Sequence, residues 1–565
     1  MNFGVSRFRR LLPVACLSLA AANGVDLVDS LIAGHLLGET ALGAIELFWP
    51  CVELFYFLSV TLAGGTSILF AEAQGRFNTV RAARVFSGGL VLAAATGLVS
   101  AVLMAVGGRP FADFFGVGEE TMRFFLDYWR WYLPQAFLVP VYVVVSTLVC
   151  ADGDTSVATA SAVAEFAVNV VASFFLCRAM GVGGCALGTV AGTLAGLAVC
   201  GVHFFRRSNS LRITLRISPR DLRGVFWTDL PSSVTVLYTA VVYVVMNKVL
   251  VARAGDAALA ALATVTVANG LFQFVTGVSN AAQPIVGLYL GEENYRAVRE
   301  VMRDAIGWAL RLGGVFSVLM ALFPGVPAWL VGVDDPTCLS LSVAAVRVVG
   351  FSYVFFGLGS LAISHCLFIG RRVASLALVT LQELVFPLGA SLVGLALGGL
   401  TGFWAGYALS PALALGAFLL ALAHFRPQGV DFYLLPPDSA RVLSWNVPAD
   451  AASACATAEA IHKALEADGK SLKTAVRVDL LVEDAMVSIR DRNPGRKVDV
   501  EITLDLREDV KVVFRDNGEV LATFADSGAG DWLRAQTIGA VLRTAVGRSS
   551  AMANGFNRSE FRFES

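Results

Sequence analysis

Long apolar stretches follow one another through most of this sequence, and they restrict its possible folds more than any other feature. A helix needs about 20 mostly apolar residues to cross the hydrocarbon core of a bilayer. Twelve such stretches lie between charged residues or Gly and Pro breaks, at about 11–37, 45–73, 85–107, 124–149, 156–177, 183–205, 226–252, 260–290, 300–330, 341–366, 373–396 and 400–424. We therefore predict an all-α polytopic membrane protein with twelve spanning helices.

The overall composition supports this class. The 565 residues are 56% apolar and 15% charged, whereas soluble globular chains are about 45–50% apolar and about 25% charged. The net charge of -1 creates no field that would attract nucleic acid. The nine cysteines are scattered singly, so the spacing of a metal or redox pair is missing. We expect a lipid bilayer as surroundings, no nucleic-acid partner and no metal centre.

Basic residues alternate between the two sides of the predicted membrane domain, and they orient it. One set of loops and helix ends contains Arg7, Arg9, Arg10, Arg76, Arg81, Arg84, Arg206, Arg207, Arg212, Arg216, Arg220, Arg223, Arg296, Arg299, Arg303, Arg371, Arg372 and Arg426. The opposite set contains Arg109, Arg123, Arg178 and Arg253. Cytoplasmic loops carry the excess of Lys and Arg, so both termini are predicted to be cytoplasmic. The apolar stretch 11–37 is too long for a signal peptide and is interpreted as the first spanning helix. The predicted location is a bacterial inner membrane.

The composition changes near residue 437, which predicts a separate C-terminal domain. Lys248 is the only lysine before that point, and five lysines follow it. We predict a first six-helix bundle at 1–217, a second at 218–426, a linker at 427–437 and a small cytoplasmic α/β sandwich domain at 438–565.

The two predicted bundles share an internal repeat. The matching segments are 38–45 with 255–262, 74–78 with 290–294, and Leu12-Pro13 with Leu230-Pro231. Their separations are nearly constant, so we interpret them as one duplication. Because each half has six helices, both halves must have the same membrane orientation. Transporters with parallel repeats bind substrate between the halves and alternate access by rocking.

Several segments resemble MATE (multidrug and toxic compound extrusion) transporters. Residues 28–38, VDSLIAGHLLG, followed by the Ala-Leu-Gly-Ala run at 41–44, resemble the first-helix signature of this family. Residues 152–155 resemble the turn before its fifth helix, and residues 282–287 resemble its eighth helix. The resemblance covers about residues 5–425. It implies a secondary transporter rather than an enzyme, which exports small cationic or amphipathic drugs or metabolites and needs no cofactor for transport.

The resemblance also implies an ion-coupling site in the first bundle. Asp29 matches the coupling aspartate, and a carboxylate at this depth is expensive unless it is neutralised or faces a cavity. Asp26 lies three residues earlier, nearly on the same helix face, and is a second candidate. Asn169 matches a family asparagine near the coupling aspartate, whereas Ser173 stands where the archaeal-type pattern has an Asp. The coupling ion is predicted to be H+ or Na+.

Further polar residues are candidates for the transport cavity. Glu53, Glu165, Glu383 and Gln283 lie in predicted spans, where they either attract a cationic substrate or form buried structural hydrogen bonds. Glu46 is predicted to lie near the outer surface, in solvent. Pro13 is a candidate gating residue, because a proline inside a helix leaves a carbonyl unpaired and permits bending.

The C-terminal region alternates between helix and strand patterns. Helices are predicted at 449–467, 471–492 and about 532–545, and strands at 497–506, 510–516 and 559–563. The segments LLVEDAMVSI at 480–489 and FRDNG at 514–518 resemble the GHKL-type ATP-binding fold in its anti-sigma-factor-kinase form.

This resemblance implies roles for four residues of the tail. Asp484 matches the acidic residue of the first segment, Asp516 matches the Asp that reads the adenine amino group, and Gly518 matches the glycine of close approach. Ser488 stands where the family has its magnesium-holding Asn, and Val520 replaces the second glycine. The tail is therefore predicted to be a degenerate domain, either binding ATP and Mg²⁺ or contacting a regulatory protein partner.

Two other functions remain open. Lipid-linked oligosaccharide flippases of the same superfamily usually have cationic residues in the cavity, whereas Lys248 lies peripherally here, which favours efflux. A membrane-anchored signalling protein or kinase acting through the tail is the other alternative, and the altered ATP-binding segments argue against it. No P-loop is present.

Overall fold

A computed structural model describes most of the chain. The parts outside the description are residues 1–2, 76–77, 153, 207–208, 210, 292, 426–429, 438–440, 508, 520–543, 554–555 and 565. The described residues form two compact units. The larger unit contains residues 15–278 and 307–424, and the smaller contains residues 1–14, 279–306 and 425–565. The domain boundaries predicted from the sequence follow a different division and stay a prediction.

Helices make up the described chain as far as residue 425. They are α1 (Phe3–Leu37), α2 (Glu39–Gly75), α3 (Thr79–Phe115), α4 (Glu119–Ala151), α5 (Thr155–Met180), α6 (Val182–His203), α7 (Pro219–Ala254), α8 (Ala257–Phe272), α9 (Gly277–Gly291), α10 (Tyr295–Leu322), α11 (Gly325–Leu330), α12 (Pro336–Val349), α13 (Tyr353–Phe368), α14 (Arg372–Thr380) and α15 (Phe386–Phe425). Short 3₁₀ turns join α8 to α9 and α12 to α13, and a π-helical turn, Leu381–Val385, joins α14 to α15.

Ten helical stretches of the described residues are long and apolar enough to cross a membrane. The longest, Arg372–His424, contains non-helical backbone at Gly398 and Gly399. The first helix, α1, is not among the ten and contributes the shorter apolar segment Val28–Leu37. The count is smaller than the predicted twelve, because the stretch with the glycine break is counted once and α1 is not counted.

Glycines with positive φ repeat along the helical region. The pairs are Gly38 and Gly255, Gly116 and Gly332, and Gly181 and Gly399. Members of a pair are separated by 216 to 218 positions, the same separation as in the sequence repeat. Gly181 has φ 73° and ψ -148°, and Gly399 has φ 60° and ψ -144°, a conformation that side chains exclude almost entirely. The two halves therefore contain matching turns.

Helices α5 and α6 pack closely against each other where both carry polar side chains. Three glycines of α6 lie directly against α5, and because glycine has no side chain the two backbones come close together. A Cβ atom at Gly188 would lie 2.1 Å from Ser173 Oγ, and one at Gly192 would lie 2.7 Å from the Glu165 carbonyl oxygen. Small residues allow this approach in membrane helices. The polar side chains of the two helices are consequently held within hydrogen-bonding distance.

The smaller unit contains a five-stranded antiparallel sheet. Its strands are β1 (Val442–Pro448), β2 (Asp499–Asp505), β3 (Val510–Asp516), β4 (Gly547–Ala553) and β5 (Phe556–Phe563), in the order β1-β2-β3-β5-β4. Two helices, α16 (Ala451–Ala467) and α17 (Leu472–Arg492), pack on one sheet face through apolar side chains of both layers. The helix predicted at 532–545 lies outside the described residues, apart from its last two.

The second face of this sheet is polar and is also buried. Glu501 of β2 and Arg515 of β3 are register partners and form an ion pair, with both side chains fully buried. Tyr289 of α9 donates to the Glu501 carboxylate over 2.9 Å, and the Arg515 guanidinium lies 5.2 Å from the Tyr289 ring centre. Burial lowers the pKa of Arg515 and raises that of Glu501. Asn294 also donates to Ser444 of β1 over 3.1 Å. The sheet is thus attached to α9 and to the start of α10.

Candidate functional site

Asp29 of α1 lies in a buried cluster of hydroxyl groups. Tyr128 donates to Asp29 Oδ2 over 2.8 Å, and Thr189 donates to the same oxygen over 2.9 Å. Ser173 donates to Oδ1 over 3.1 Å. The Asp29 side chain is only 7% exposed. All three partners are neutral, so the carboxylate is hydrogen-bonded but has no cation beside it in the described part of the chain.

Each donor comes from a different helix and is held in place by packing. Tyr128 of α4 stands edge-on to the Phe48 ring, with 5.1 Å between the ring centres. Ser173 of α5 is placed by the close approach of Gly188 of α6. Four helices therefore meet at Asp29, and a shift of any one would change its hydrogen bonds.

Asn169 joins this cluster through Thr189. Its side-chain Nδ2 donates to Thr189 Oγ1 over 3.0 Å, while its Oδ1 is buried and accepts no hydrogen bond. The predicted neighbourhood of Asn169 and Asp29 is present, with one threonine between them. The side chain of Asp26, the second predicted carboxylate, lies outside the described residues.

The sequence interpretation missed several members of this site. Ser173 was interpreted as a departure from an acidic pattern, but it contacts Asp29 directly. Tyr128 and Thr189 were not singled out, because tyrosine and threonine are common in membrane helices. The one sequence signal for these residues was their spacing. Thr189 and Thr193 are one turn apart on α6, and they bond to Asn169 and Glu165, which are one turn apart on α5.

A second site is a cavity of about 210 Å³ in the larger unit. Its aromatic lining consists of Trp49, Tyr243, Phe272, Tyr353, Phe356 and Tyr407. Its polar lining consists of Glu53, Thr239, Thr266, Asn269, Gln273, Ser352, Gln382, Glu383 and Ser410. Among the described lining residues there is no Lys, Arg or His. The cavity therefore presents carboxyl groups and aromatic faces.

The two predicted carboxylates Glu53 and Glu383 both line this cavity. Glu383 lies in the π-helical turn between α14 and α15. The adjacent Gln382 donates to it over 2.9 Å, while Gln382 Oε1 is buried without a partner. A π turn inserts an extra residue into a helix and is frequent at functional sites. Here it places a carboxylate and an amide side by side at the cavity wall.

Glu46 lies beside the cavity, and its predicted exposure is wrong. The side chain is 3% exposed, and Thr266, which lines the cavity, donates to Glu46 Oε1 over 2.8 Å. The apolar residues of α2 that surround it belong to the packed interior. Glu46 therefore adds a third carboxylate to this region.

The remaining predicted residues lie elsewhere. Glu165 is not part of the cavity lining, and its carboxylate accepts from Thr193 within the first half of the chain. Gln283 is exposed on α9. Pro13 is exposed on α1, which is continuous from Phe3 to Leu37. The cavity and gating roles predicted for these three residues stay predictions.

The predicted nucleotide residues lie around α17 and the end of β3. Asp516 Oδ1 accepts from the Gly518 backbone over 2.9 Å and from Asn557 over 2.8 Å. Burial raises the pKa of Asp516, and the hydrogen bonds from Asn557 and Gly518 oppose this rise. Asp484 is half-buried on α17, and Ser488 is buried one turn later. Asp516 therefore already has two donors inside the domain.

Comparisons with known proteins give related proteins for the helical region. The sequence model of the family MatE matches residues 15–175 and 231–380, together more than half of the chain. A "Probable multidrug resistance protein YoeA" of Bacillus subtilis is 22% identical over 348 residues, which cover 59% of this chain and 74% of that protein. A "Probable multidrug resistance protein NorM" of Synechococcus is 26% identical over 453 residues, covering 72% and 91%.

The fold also matches solved structures. An inward-facing multidrug resistance MATE family transporter of the MOP superfamily superposes with a TM-score of 0.66 at 21% sequence identity. The match covers 73% of this chain and 97% of the solved chain. The part of this chain left over is comparable in length to the C-terminal region that the sequence separates from the spans.

Proposed function

The chain belongs to the MatE family and is therefore a multi-pass membrane transporter rather than an enzyme, and we propose that it is a secondary active antiporter. It exports small cationic or amphipathic drugs or metabolites, driven by a proton or sodium gradient. The two six-helix halves alternate access to the two sides of the membrane.

The surroundings of Asp29 support ion coupling most strongly. An ionised carboxylate removed from water costs several kcal/mol unless it is compensated. Three hydroxyl donors stabilise the anion, but they do not neutralise it. A proton or Na+ supplies the missing charge, and its release restores the hydrogen-bonded anion. The site is then neutral when the ion is bound and negative when it is empty. This difference allows ion binding to be coupled to the binding and release of substrate.

The acidic aromatic cavity supports a cationic substrate. A cation over an aromatic ring gains about 0.5–2 kcal/mol, and more when it is desolvated. Glu53 and Glu383 place two carboxyl groups at the wall, which attract a cation in their ionised form. An anionic lipid headgroup would meet repulsion there, because the described lining contains no cationic side chain. This observation favours efflux of cations over flipping of lipid-linked oligosaccharides.

Uptake into everted membrane vesicles tests the proposal, because it corresponds to export from the intact cell. Wild type, Asp29→Asn and the control Glu120→Gln are compared for uptake of an ethidium-like cation under an imposed proton or sodium gradient. Glu120 is an exposed carboxylate at the start of α4. We expect gradient-driven uptake in wild type and the control, and its loss in Asp29→Asn. Full uptake by Asp29→Asn under both gradients would show that Asp29 does not couple an ion.

The proposed topology has twelve spans with both termini in the cytoplasm of a bacterial cell. Ten stretches qualify as spans, the break at Gly398 and Gly399 divides one of them, and α1 adds another helix. The arginine-rich loops support the orientation. Cysteine labelling from either side of the inner membrane, at a loop position on each side, checks it.

The C-terminal domain is proposed to be a GHKL-like regulatory domain. Two helices on one face of a five-stranded sheet support this proposal, as do the positions of Asp516 and Ser488. Thermal unfolding of the full chain with millimolar Mg-ATP, in wild type and Asp516→Ala, tests nucleotide binding. A midpoint that rises with ATP in wild type alone supports binding, and unchanged midpoints in both would leave protein contacts as the regulatory role.

A further inference from the structure

A second carboxylate, Glu165, is half-buried and has surroundings built like those of Asp29. Gln135 Nε2 donates to Thr193 Oγ1 over 2.8 Å, and Thr193 in turn donates to Glu165 Oε1 over 3.3 Å. These three residues belong to α4, α6 and α5. An amide, a threonine hydroxyl and a carboxylate thus form one chain of hydrogen bonds.

The same chain occurs one helical turn away. Asn169 donates to Thr189, and Thr189 donates to Asp29. Thr189 and Thr193 are four residues apart on α6, as Glu165 and Asn169 are on α5. Residues four apart lie on the same face of a helix. Both hydrogen-bond chains therefore lie along one seam between α5 and α6.

Counting protons explains the orientation of both amides. A hydroxyl has one proton to donate, and each threonine gives it to a carboxylate. Each threonine must then accept from the amide nitrogen, which leaves the amide oxygen unused. Asn169 Oδ1 and Gln135 Oε1 are buried without a hydrogen-bond partner, in residues that are 2% and 4% exposed. Buried polar atoms without partners are rare in proteins, and binding of an ion or a water is one way in which they are satisfied.

Neutral oxygen groups continue beyond Glu165. The Tyr142 hydroxyl lies near Glu165 and is 3.2 Å from Ser161 Oγ. Ser161 is fully buried and donates to the Gly196 carbonyl over 2.8 Å. Carboxylate and carbonyl oxygens are the ligands that hard cations prefer. The described groups bonded to Glu165 include no positive charge.

We propose that Glu165, with the amide oxygens of Gln135 and Asn169, forms a second station for the coupling cation. The station takes a monovalent cation, Na+ or H+, and passes it to or from Asp29. Ser173, the α5 partner of Asp29, is eight residues from Glu165, about 12 Å along the helix axis. The station lies on the side of Asp29 where α5 begins. This inference rests on the ion-coupled transport proposed above.

The number of cations bound by purified full-length protein tests the second station. One arm measures ²²Na+ binding, and the other measures proton uptake by difference titration in sodium-free buffer. Wild type is compared with Asp29→Asn, Glu165→Gln and the exposed-carboxylate control Glu120→Gln. We expect wild type and the control to bind two cations per chain in one of the arms, and each of the other two variants to bind one.

A matched pair at Thr193 separates the hydrogen-bond chain from general folding effects. Thr193→Ser keeps the hydroxyl and is expected to bind as wild type does. Thr193→Val removes it and is expected to weaken the second binding event about tenfold or more, because a hydrogen bond to a charged group is lost.

The outcomes distinguish this inference from the proposed function. Loss of one cation in Glu165→Gln supports the station, and the arm that shows the loss identifies the cation. Unchanged binding by Glu165→Gln and Thr193→Val in both arms overturns the station, while Asp29 can still couple. Unchanged binding and export by Asp29→Asn instead overturns the proposed coupling at Asp29.

Discussion

The hydroxyl groups around Asp29 stabilise an anion without replacing its counterion. An arginine or lysine in their place would form a buried ion pair with the carboxylate. Because separating such a pair leaves a buried charge without a partner and is costly, the pair would not readily open to admit another ion. Tyr128, Ser173 and Thr189 instead give hydrogen bonds from neutral groups. Such surroundings fit the exchange of an ion that we propose for Asp29.

Removing one donor changes this balance without removing the carboxylate. Tyr128→Phe keeps the ring packed on Phe48 and deletes the bond to Asp29. The anion loses about 1.5–3 kcal/mol of stabilisation, so the ion is released less readily. We expect gradient-driven export to fall about tenfold or more, measured in everted vesicles. Tyr132→Phe, which alters a neighbouring ring outside the described contacts of Asp29, serves as the comparison, and equal rates in both variants would contradict the role of Tyr128.

The cluster around Asp29 shows what the sequence could and could not predict. Asp29 was predictable because a carboxylate inside an apolar stretch is expensive and therefore rare. Asn169 followed from its family pattern. Tyr128 and Thr189 carry no charge, and threonine also satisfies its own helix backbone, so their types alone indicate nothing. Their contribution depends on four helices meeting at one point, which only packing determines.

The π-helical turn before α15 is the element that shapes the acidic cavity. Gln382 is buried there, and Glu383 takes the position beside it on the cavity wall. Compared with a regular α-helix, the extra residue of a π turn rotates the helix that follows by about 100° relative to the residues before the turn. The turn therefore changes which side chains of this segment face the cavity.

Neutralising Glu383 is expected to weaken cation recognition selectively. Glu383→Gln keeps the size of the side chain and removes its charge, which costs a bound organic cation about 1.5–3 kcal/mol. We expect the KM for a monovalent cationic dye to rise about tenfold or more, with a smaller change in Glu383→Asp. A neutral amphipathic compound is the control substrate, and an equal rise in its KM would contradict a charge effect.

The turn between α4 and α5 contains a second charged element. Asp154 caps α5 and accepts from Val157 N, while His203 of α6 lies between Asp154 and Asp152 at 3.0 and 2.8 Å. Arg206 also donates to Asp154 over 2.9 Å. The hydrogen bond with His203, followed by those from Ser156 and Val157, lowers the pKa of Asp154 to about 2. This turn fixes the start of α5.

The lowered pKa of Asp154 predicts an acid-dependent stability. A carboxyl with an ordinary pKa of 3.8 that falls to about 2 on folding stabilises the folded state above pH 3.8. That contribution disappears as the pH falls through about 2. We expect wild type to unfold at a higher temperature than Asp154→Asn at pH 6, with the difference shrinking between pH 4 and 2. The exposed Asp113→Asn should behave as wild type, and a difference independent of pH would contradict the assignment.

Helix positions were more predictable than their interruptions. The apolar stretches located the helices, because burial in lipid demands continuous apolar sequence. They did not reveal that 300–330 divides into α10 and α11, or that the helix at 373–396 contains a π turn. Such breaks depend on single residues such as Pro324 and on neighbouring packing, and hydropathy averaged over about 20 residues removes them.

Across the whole chain, a membrane transporter is combined with an additional sheet domain. That sheet packs apolar side chains on its helices and keeps a buried charged face against α9. Alternating strand residues point to opposite faces, so the sequence predicted the apolar layer but gave no reason to expect burial of Glu501 and Arg515. Tyr289, which bonds Glu501, is more than 200 residues away in the chain.

Breaking the buried ion pair is expected to loosen this domain. Arg515→Met leaves Glu501 buried without its partner, which destabilises by about 3–5 kcal/mol. In limited proteolysis of the full chain, the segment 441–564 of Arg515→Met should then be cleaved faster than the same segment of wild type. The triple variant Tyr289→Phe, Glu501→Leu and Arg515→Met removes the ion pair together with the tyrosine hydroxyl that bonds Glu501, and it should recover most of the resistance. Equal cleavage of wild type and Arg515→Met would contradict the contribution of this pair.

The enclosed charges of Glu501 and Arg515 have a practical consequence for anyone who expresses the tail alone. If the chain is cut after residue 437, the sheet face with Glu501 and Arg515 loses the Tyr289 ring that covers it and becomes exposed to solvent. Failure of such a fragment to bind a nucleotide, or its tendency to aggregate, would then reflect the cut rather than the native domain. Biochemistry on this tail is best done with its transporter still attached.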